Sequence, residues 1–238
     1  MVVLFQTSLD LSESYRSSVE SAETCLIATR EHFFSSSKTI TIVLGEALHA
    51  IEAGKSVVGT NEPPRNGGYG VLKVSAVGEN GFRPTESKAL LSQDDFLSEY
   101  SVKAGDLVLT RANTPDLVGM SCVVETDYPH LMLCDKTLRL VPKTEFSTRF
   151  LLEALWTLSV RQQLRSVATG TGAAMKNISQ EKIRNIQISV PATPTEQLAI
   201  TEQIGGLRNA VDLSRKRVRD TLHVHQALLT HVLSGIAQ

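Results

Sequence analysis

Several short segments of this chain come close to motifs that carry enzyme chemistry. Ala53-Gly54-Lys55-Ser56 matches the end of a Walker A loop, whose glycine-rich backbone cradles phosphate groups. That loop needs a glycine five residues before Gly54, and this position is His49. The preceding segment also predicts a short helix instead of the strand that such a loop follows. The sequence therefore gives no support for ATP binding here.

Three other near-matches fail for similar reasons. Asn61-Glu62-Pro63-Pro64-Arg65 resembles an amino-methyltransferase motif, but a glutamate interrupts it and an arginine replaces its aromatic residue. Glu86-Ser87-Lys88 resembles part of a nuclease motif, but no Asp lies between Lys38 and Glu86. Gly170-Thr171-Gly172 lacks the third glycine of a dinucleotide fingerprint. None of the six histidines has an obvious Ser or Cys partner, so we predict a protein that is not an enzyme.

The cysteines and the chain start indicate a compartment. Cys25, Cys122 and Cys134 form no Cys-x-x-Cys pair, and no histidine lies at metal-ligand spacing from them. This predicts buried, reduced thiols in a cytosolic protein and no metal site. The N-terminus lacks the basic region of a signal peptide, and no apolar run approaches the ~18 residues that span a membrane. We therefore expect a soluble, cytoplasmic protein.

The charge balance limits the kinds of partner. The 238 residues include 24 Lys and Arg against 25 Asp and Glu, which excludes a globally basic protein that coats polyanions by charge alone. The charges are unevenly spread, however. Residues 1–37 hold five acidic and two basic side chains, whereas residues 55–88 hold five basic and three acidic ones. A local basic face is compatible with this distribution.

The first 191 residues form two predicted segments. Residues 1–37 predict an N-terminal helix with Asp10 as its N-cap, because apolar residues recur at spacings of three and four. Residues 38–191 mix β-branched runs with a short helix that ends near Gly54 and a longer one from about Glu145 to Val167. A further strand is predicted over Ile183–Val190. The fold class is therefore α+β, with a globular mixed α/β domain.

The third segment, residues 192–238, predicts a long C-terminal helix. Thr193, Pro194 and Glu196 form a capping box at its start. About 40 residues at 1.5 Å each make a rod of roughly 60 Å, and one apolar stripe requires a helical partner. The stripe for this dimerisation and spacer arm comprises Ile204, Leu207, Val211, Val218, Leu222, His225, Leu229 and Val232.

The N-terminal helix is one candidate partner for this rod. Its polar face is acidic, and the C-terminal segment carries the basic run Arg215–Arg219. We expect the two helices to pack as a coiled-coil arm that leaves a further seam for a second chain. The alternative, that the basic run is only a solvated helix face, stays open.

A series of short motifs follows a fixed order along residues 40–238. They are Ile42–Glu46, Ala53–Ser56, Gly70–Val77, Gly105–Arg111, Gly170–Gly172 with Lys176–Ser179, Ile188–Pro191 with Pro194–Gln197, and Leu228–Leu229 with Leu233–Gly235. In this order they resemble the DNA-specificity subunits of type I restriction–modification systems. Each motif alone is weak, whereas the ordered set that ends on a capped helix is specific.

The resemblance implies a half-length form of this family. Such subunits carry two target-recognition domains, each followed by a long helix, and this chain has one of each. The family implies a non-catalytic protein that binds double-stranded DNA and docks a methyltransferase subunit and, where one is present, a restriction subunit. S-adenosylmethionine, ATP and Mg would bind to those partners and no cofactor directly to this chain. A two-fold symmetric homodimer would read a split, palindromic site.

Direct readout of DNA needs Arg, Lys, Asn or Gln side chains on loops that can enter the major groove. Such residues lie in the loop-rich stretch 55–88, after the Asp106–Thr110 strand and near residue 176. We expect a subset of the following to contact DNA: Lys55, Arg65, Asn66, Tyr69, Lys73, Arg83, Lys88, Arg111, Asn113, Thr114, Lys176 and Asn177. Arg65 and Arg111 are the first candidates, since arginine binds bidentately.

A second hypothesis from a different class stays open. The chain could be a coiled-coil scaffold whose globular domain binds another protein. A methyltransferase gene beside the gene for this chain would favour the DNA-recognition hypothesis.

Overall fold

The computed structural model describes residues 2–36, 39–65, 67–170 and 175–236, and omits the side chains of residues 2–10, 12, 228 and 232–236. The chain divides into a helical unit (Met1–Phe33 and Ile200–Gln238) and a globular unit (Phe34–Ala199). Along the described residues the α-helices are α1 (Val2–Phe34), α2 (Leu44–Ala47), α3 (Thr148–Leu155), α4 (Leu158–Val167), α5 (Gln180–Arg184) and α6 (Pro194–Ile236).

The strands all lie in the globular unit. They are β1 (Thr39–Val43), β2 (Leu48–Ala53), β3 (Gly70–Leu72), β4 (Val77–Gly78), β5 (Gly81–Phe82), β6 (Ser87–Ala89), β7 (Ser101–Val102), β8 (Leu107–Thr110), β9 (Ala112–Asn113), β10 (Ser121–Val123), β11 (Tyr128–Met132), β12 (Thr137–Pro142), β13 (Lys176–Asn177) and β14 (Gln187–Pro191).

Two four-stranded sheets form the body of the globular unit. The first has the order β10-β8-β12-β2 and is antiparallel throughout. The second has the order β6-β3-β11-β7, and within it β3 and β11 run parallel. Short antiparallel pairs, β1 with β14, β9 with β13 and β4 with β5, complete the unit. The predicted α+β class, with its long C-terminal helix and N-terminal helix, is confirmed.

One layer of the globular unit's core lies between the first sheet and helix α3. A second layer joins Val108 of the first sheet to Leu72 and Leu131 of the second. Leu107 and Leu109 of β8 are fully buried, and α3 packs against β8, β10 and β12. Phe150 and Leu151 form the buried face of α3. The Ser147 side chain caps this helix by accepting a hydrogen bond of 3.0 Å from the Phe150 amide. The helix is thereby fixed in register over the sheet.

A buried arginine ties the two sheets together. Arg139 of β12 donates to Glu52 at 2.8 Å and to Asp106 at 2.9 Å, and it also donates to the Ser101 carbonyl of β7. Burial lowers the pKa of Arg139, but the hydrogen bonds to the two carboxylates outweigh it, and the net direction is upward. Arg139 is therefore charged, and its side chain is committed to the scaffold.

Two helices and one strand start differ from the sequence prediction. The short helix predicted to end near Gly54 is mostly strand β2, because pairing with β12 overrides the helical preference of Leu48–Ala53. The helix predicted from Glu145 to Val167 is two helices, since Thr157 adopts an extended backbone between them. The strand predicted over Ile183–Val190 begins only at Gln187 and is preceded by α5.

Two predictions for the N-terminal region are wrong. Helix α1 begins at Val2, so Asp10 lies inside the helix and is not its N-cap. Cys25 is exposed on α1, whereas Cys122 and Cys134 are buried as predicted. Burial raises the pKa of the Cys122 thiol to about 12, and burial likewise raises the pKa of Cys134. Both buried thiols therefore stay protonated.

The helical unit pairs α1 with α6. Leu26 of α1 and Ile204 and Val211 of α6 are buried, and Arg215 of α6 forms an ion pair with Glu23 of α1 at 2.7 Å. The α6 start has the predicted capping box: the Glu196 amide donates to Thr193 Oγ1 at 3.3 Å, and the Thr193 amide donates to Glu196 Oε2 at 3.2 Å. No helix in the described part of the chain is long and apolar enough to cross a membrane.

Candidate nucleic-acid interface

Five of the twelve predicted DNA-binding residues meet where β9 pairs with β13. The register places Lys176 opposite Asn113 and Asn177 opposite Ala112. Arg111 precedes β9, and Thr114 follows it. We call Arg111, Asn113, Thr114, Lys176 and Asn177 the Arg111 cluster. Sequence reasoning proposed them as two separate sites, and the ladder joins them into one.

Backbone and side-chain hydrogen bonds fix the orientation of Arg111. Its amide donates to the Lys136 carbonyl at 2.9 Å, and its carbonyl accepts from the Ile178 amide at 2.8 Å. The Arg111 Nε donates to Asn177 Oδ1 at 3.2 Å. In the described residues the two Nη groups of Arg111 make no hydrogen bond, so the bidentate edge of the guanidinium is available to a ligand.

The Arg111 cluster carries positive charge that no carboxylate neutralises in the described residues. Lys176 Nζ donates to the Gly170 carbonyl at 3.0 Å, and Asn113 Oδ1 accepts from the Thr114 amide at 2.9 Å. These partners orient the side chains without cancelling a charge. Such a group of cations and amides can bind phosphates and the edges of bases.

The predicted residues of stretch 55–88 are spread over loops and the second sheet. Arg65 and Glu62 form an ion pair of 2.6 Å, with side chains 79% and 69% exposed. Lys73 Nζ donates to the Asn61 carbonyl at 2.9 Å, and Arg83 donates twice to the Ser75 carbonyl, at 2.7 and 3.1 Å. Asn66 lies outside the described residues. These arginines and lysines are held by nearby oxygens and do not converge on one another.

An aromatic group in the second sheet surrounds Tyr69. Its ring lies 4.3 Å from that of Phe96 and 5.2 Å from that of His130, measured between ring centroids. Tyr69 is half-buried, whereas His130 on β11 is exposed. Lys88 lies opposite Val71 in the same sheet, on its edge strand β6. Sequence reasoning missed Phe96 and His130. His130 is distant from Tyr69 in sequence and lies beside it only because β11 pairs with β3.

Lys55 has a structural neighbour that explains the Walker-like motif. Its side chain is exposed, and its amide donates to the Leu133 carbonyl at 3.2 Å. A Cβ at residue 54 would lie 2.2 Å from that same carbonyl oxygen. Gly54 is therefore required by a close backbone crossing in the scaffold. The described residues also contain no group of three or more His, Cys, Asp and Glu side chains that could hold a metal ion.

The predicted arm residues of α6 are buried to different degrees. Ile204 and Val211 are buried, and the half-buried ones are Leu207, Val218, Leu222, His225 and Leu229. The side chain of Val232 lies outside the described residues. Large apolar side chains are also exposed elsewhere on α6, namely Leu198, Leu213 and Val224 at 58%, 52% and 57%. Since 15 and 11 residues separate them, helical geometry places these three within one side of α6.

The comparisons with known proteins agree with one another. The chain is 30% identical over 197 residues, 80% of its length, to the type I restriction enzyme EcoEI specificity subunit of Escherichia coli. The chain is related to the specificity subunits of type I restriction enzymes. The resemblance predicted from the ordered motifs is thereby confirmed. No protein-family model matches the chain.

Solved specificity subunits share the fold. The HsdS subunit from Thermoanaerobacter tengcongensis superposes with a TM-score of 0.59 at 16% identity over 96% of this chain. The type I S subunit from M. genitalium superposes with a TM-score of 0.65 at 14% identity over 95% of this chain. This chain spans 33% of the EcoEI subunit and 54% and 57% of the two solved subunits. The comparison therefore covers one part of a longer specificity subunit.

Proposed function

We propose that this chain is a sequence-specific DNA-recognition subunit of a type I restriction–modification complex, without catalysis of its own. The observation that carries the proposal is its relation to the EcoEI specificity subunit over 80% of its length. The Arg111 cluster supports it, because this cluster supplies cations and amides of the kind that bind DNA. The globular unit would read the target, and the helical unit would connect it to the rest of the complex.

In this proposal the Arg111 cluster makes the base contacts. The free Nη edge of Arg111 can donate two parallel hydrogen bonds, which match the O6 and N7 acceptors of guanine in the major groove. Asn177 holds Nε of Arg111, so the fork is oriented before DNA arrives. Lys176 lies beside it in the ladder and would contact a phosphate.

The basic residues of stretch 55–88 would position the DNA backbone. Lys55, Arg65, Lys73, Arg83 and Lys88 are distributed around the second sheet, as suits contacts to successive phosphates. Arg65 has a solvent-exposed partner in Glu62, and an exposed ion pair is weak enough to exchange for a phosphate. We therefore assign this set to affinity and the Arg111 cluster to specificity.

Two copies of the chain would supply two readers. The 43 residues of α6 make a helix of about 65 Å, and successive faces of the major groove recur every ~34–36 Å. Leu198, Leu213 and Val224 are exposed apolar residues of α6 that a second helix would cover. A two-fold symmetric dimer of this kind would recognise a split palindrome.

The same proposal assigns chemistry to partner subunits. A methyltransferase subunit would dock on this chain and bring S-adenosylmethionine, and a restriction subunit would bring ATP and Mg. One of the solved structures with this fold, at a TM-score of 0.62 and 15% identity, comes from work on complex assembly and conformational transition of the type I system. Such an assembly acts on DNA in the cytoplasm.

Selection of DNA from a random library tests the proposal. The chain is co-produced with a candidate methyltransferase subunit and mixed with random duplexes, and the bound fraction is sequenced. We expect two inverted half-sites separated by a fixed spacer. Bound DNA with no enriched motif would reject DNA recognition. If the chain shows no DNA preference but still binds another protein, the scaffold hypothesis replaces the DNA-recognition hypothesis.

A further inference from the structure

The segment that follows the Arg111 cluster is a compact loop. Residues 114–119, here called the 114–119 loop, connect β9 to the approach of β10. The amides of Leu117 and Val118 donate to the Thr114 carbonyl at 3.1 and 2.9 Å, and the Gly119 amide donates to the Thr110 carbonyl at 2.8 Å. The Thr110 hydroxyl also donates to the Leu117 carbonyl at 3.1 Å. The loop therefore begins three residues after Arg111, and its last residue is hydrogen-bonded to Thr110, which precedes Arg111.

Two arginines of helix α4 hold this loop from behind. Arg161 Nη2 donates to the carbonyls of Asp116 and Val118, at 3.2 and 3.1 Å. Arg165 Nη2 adds a longer contact of 3.4 Å to the Asp116 carbonyl. Arg161 is only 7% exposed, whereas Arg165 is exposed. The buried arginine thus makes the main contact between α4 and the loop.

The backbone of the loop sits directly on α4. Gly119 has φ +75°, and a Cβ there would lie 3.0 Å from Leu164 Cδ1 and 3.3 Å from Arg161 Nη1. Trp156 also contacts this region. The Arg161 guanidinium carbon lies 5.9 Å from the centroid of the Trp156 ring. The Trp156 Nε1 donates to the Ser121 carbonyl of β10 at 3.0 Å. The middle and the C-terminal end of the loop are therefore tied to the same helical surface.

Burial of the Arg161 charge at this position is unfavourable for folding. It forms no ion pair with a carboxylate in the described part of the chain, and its buried Nη1 has no hydrogen-bond partner there. Burial, and secondarily the charge of Arg165, lowers the pKa of Arg161 to about 10, so it remains charged at neutral pH. A buried charge that contacts carbonyls and an aromatic ring but no carboxylate costs stability. A neutral apolar side chain would fill the space at lower cost but could not donate to the loop.

We propose that Arg161 is a positioning residue for DNA recognition: by holding the carbonyls of Asp116 and Val118, it fixes the 114–119 loop and, through it, the geometry of the Arg111 cluster. The inference rests on the proposed function. Arg161 touches no DNA itself and acts through the loop. Its role is to keep Arg111, Asn113 and Thr114 in one arrangement, which favours one sequence over others.

The test compares Arg161→Lys and Arg161→Met with the unaltered chain in the methyltransferase complex. Dissociation constants are measured against salt for the selected duplex and for one with scrambled half-sites. We expect affinity for the selected duplex to fall about tenfold. Affinity for the scrambled duplex and the slope of log K against log salt should not change, because the same phosphates are contacted. Arg149→Met is the matched control, since Arg149 is exposed and its ion pair in the described part of the chain is with Glu125, away from the loop.

Two results would overturn the inference. If Arg161→Lys discriminates between the duplexes as well as the unaltered chain does, the loop needs no clamp. If the salt slope of Arg161→Met falls by about one while that of Arg161→Lys does not change, residue 161 contacts a phosphate itself. Arg161→Met could fail to fold, whereas Arg161→Lys keeps the charge and most of the side-chain volume. The melting temperature of each variant shows whether it is folded.

Failure of the proposed function gives a separate signal. If the unaltered chain does not distinguish the two duplexes, DNA recognition fails, whatever the variants do. Hydrogen exchange of the amides of Leu117, Val118 and Gly119 then still decides the structural claim. We expect these amides to exchange at least tenfold faster in Arg161→Lys and at the same rate in Arg149→Met. Unchanged exchange in Arg161→Lys would overturn the positioning role.

Discussion

At the scale of single residues, three arginines of the globular unit differ in how their side chains are paired. Arg139 is buried between carboxylates of the scaffold, Arg65 shares an exposed ion pair, and Arg111 keeps its Nη edge free of hydrogen bonds within the described residues. Only the third arrangement leaves a planar fork available for a ligand. Residue type alone made Arg65 and Arg111 equal candidates, and the hydrogen bonds distinguish them.

This difference predicts the outcome of two substitutions. Arg111→Ala should weaken binding of the selected duplex by about 1–3 kcal/mol and relax the preference at one base pair. Arg65→Ala should cost less than about 1 kcal/mol and act equally on all sequences, because an exposed ion pair and a phosphate contact carry no base information. Titration of both variants with selected and scrambled duplexes measures the two effects. An Arg111→Ala loss that is equal for both duplexes would contradict the assignment to base readout.

At the scale of elements, local signals succeeded where packing did not interfere. The capping box at Thr193 predicted the start of α6, and the strand predicted over Asp106–Thr110 corresponds to β8. The segment Leu48–Ala53 was misassigned, because alanine, leucine and glutamate favour helices while its pairing with β12 lies almost ninety positions away. Apolar periodicity also continued across Trp156 and Thr157, so it could not reveal the break between α3 and α4.

In the site, too, local signals identified candidate residues, whereas long-range pairing decided which of them lie together. The residue types of Arg111 and Asn177 marked both as candidates, but 66 positions separate them, and only the β9–β13 ladder brings them together. The clamp by Arg161 had no sequence signal at all, since an arginine in a helix is usually a solvated residue. Pairing between distant strands therefore determines the site, and this pairing cannot be predicted from a single sequence.

The capping box of α6 gives a prediction at this scale. Thr193→Ala should lower the free energy of unfolding by about 1 kcal/mol, because it removes the acceptor for the Glu196 amide. Urea denaturation followed by circular dichroism measures the change. Thr195→Ala is the matched control, since Thr195 is exposed inside the helix and alanine there favours helix formation. Equal stability of Thr193→Ala and the unaltered chain would contradict the predicted cap.

At the scale of the whole molecule, near-neutral charge is a sum over parts with different roles. The acidic face of α1 meets a basic partner within the helical unit through Glu23 and Arg215, while the Arg111 cluster keeps its cations unpaired by carboxylates in the described residues. A net charge of −1 excludes binding by bulk charge and suits a protein that discriminates among sequences.

Sequencing of methylated bases tests the central claim most directly. DNA from cells that carry this chain with its methyltransferase is compared with DNA from cells in which only this chain is deleted. We predict methylation at a split, palindromic motif that disappears on deletion, is weakened or altered by Arg111→Ala and is unchanged by Arg149→Ala. The same methylated motif in cells without this chain would contradict its role as the DNA-recognition subunit.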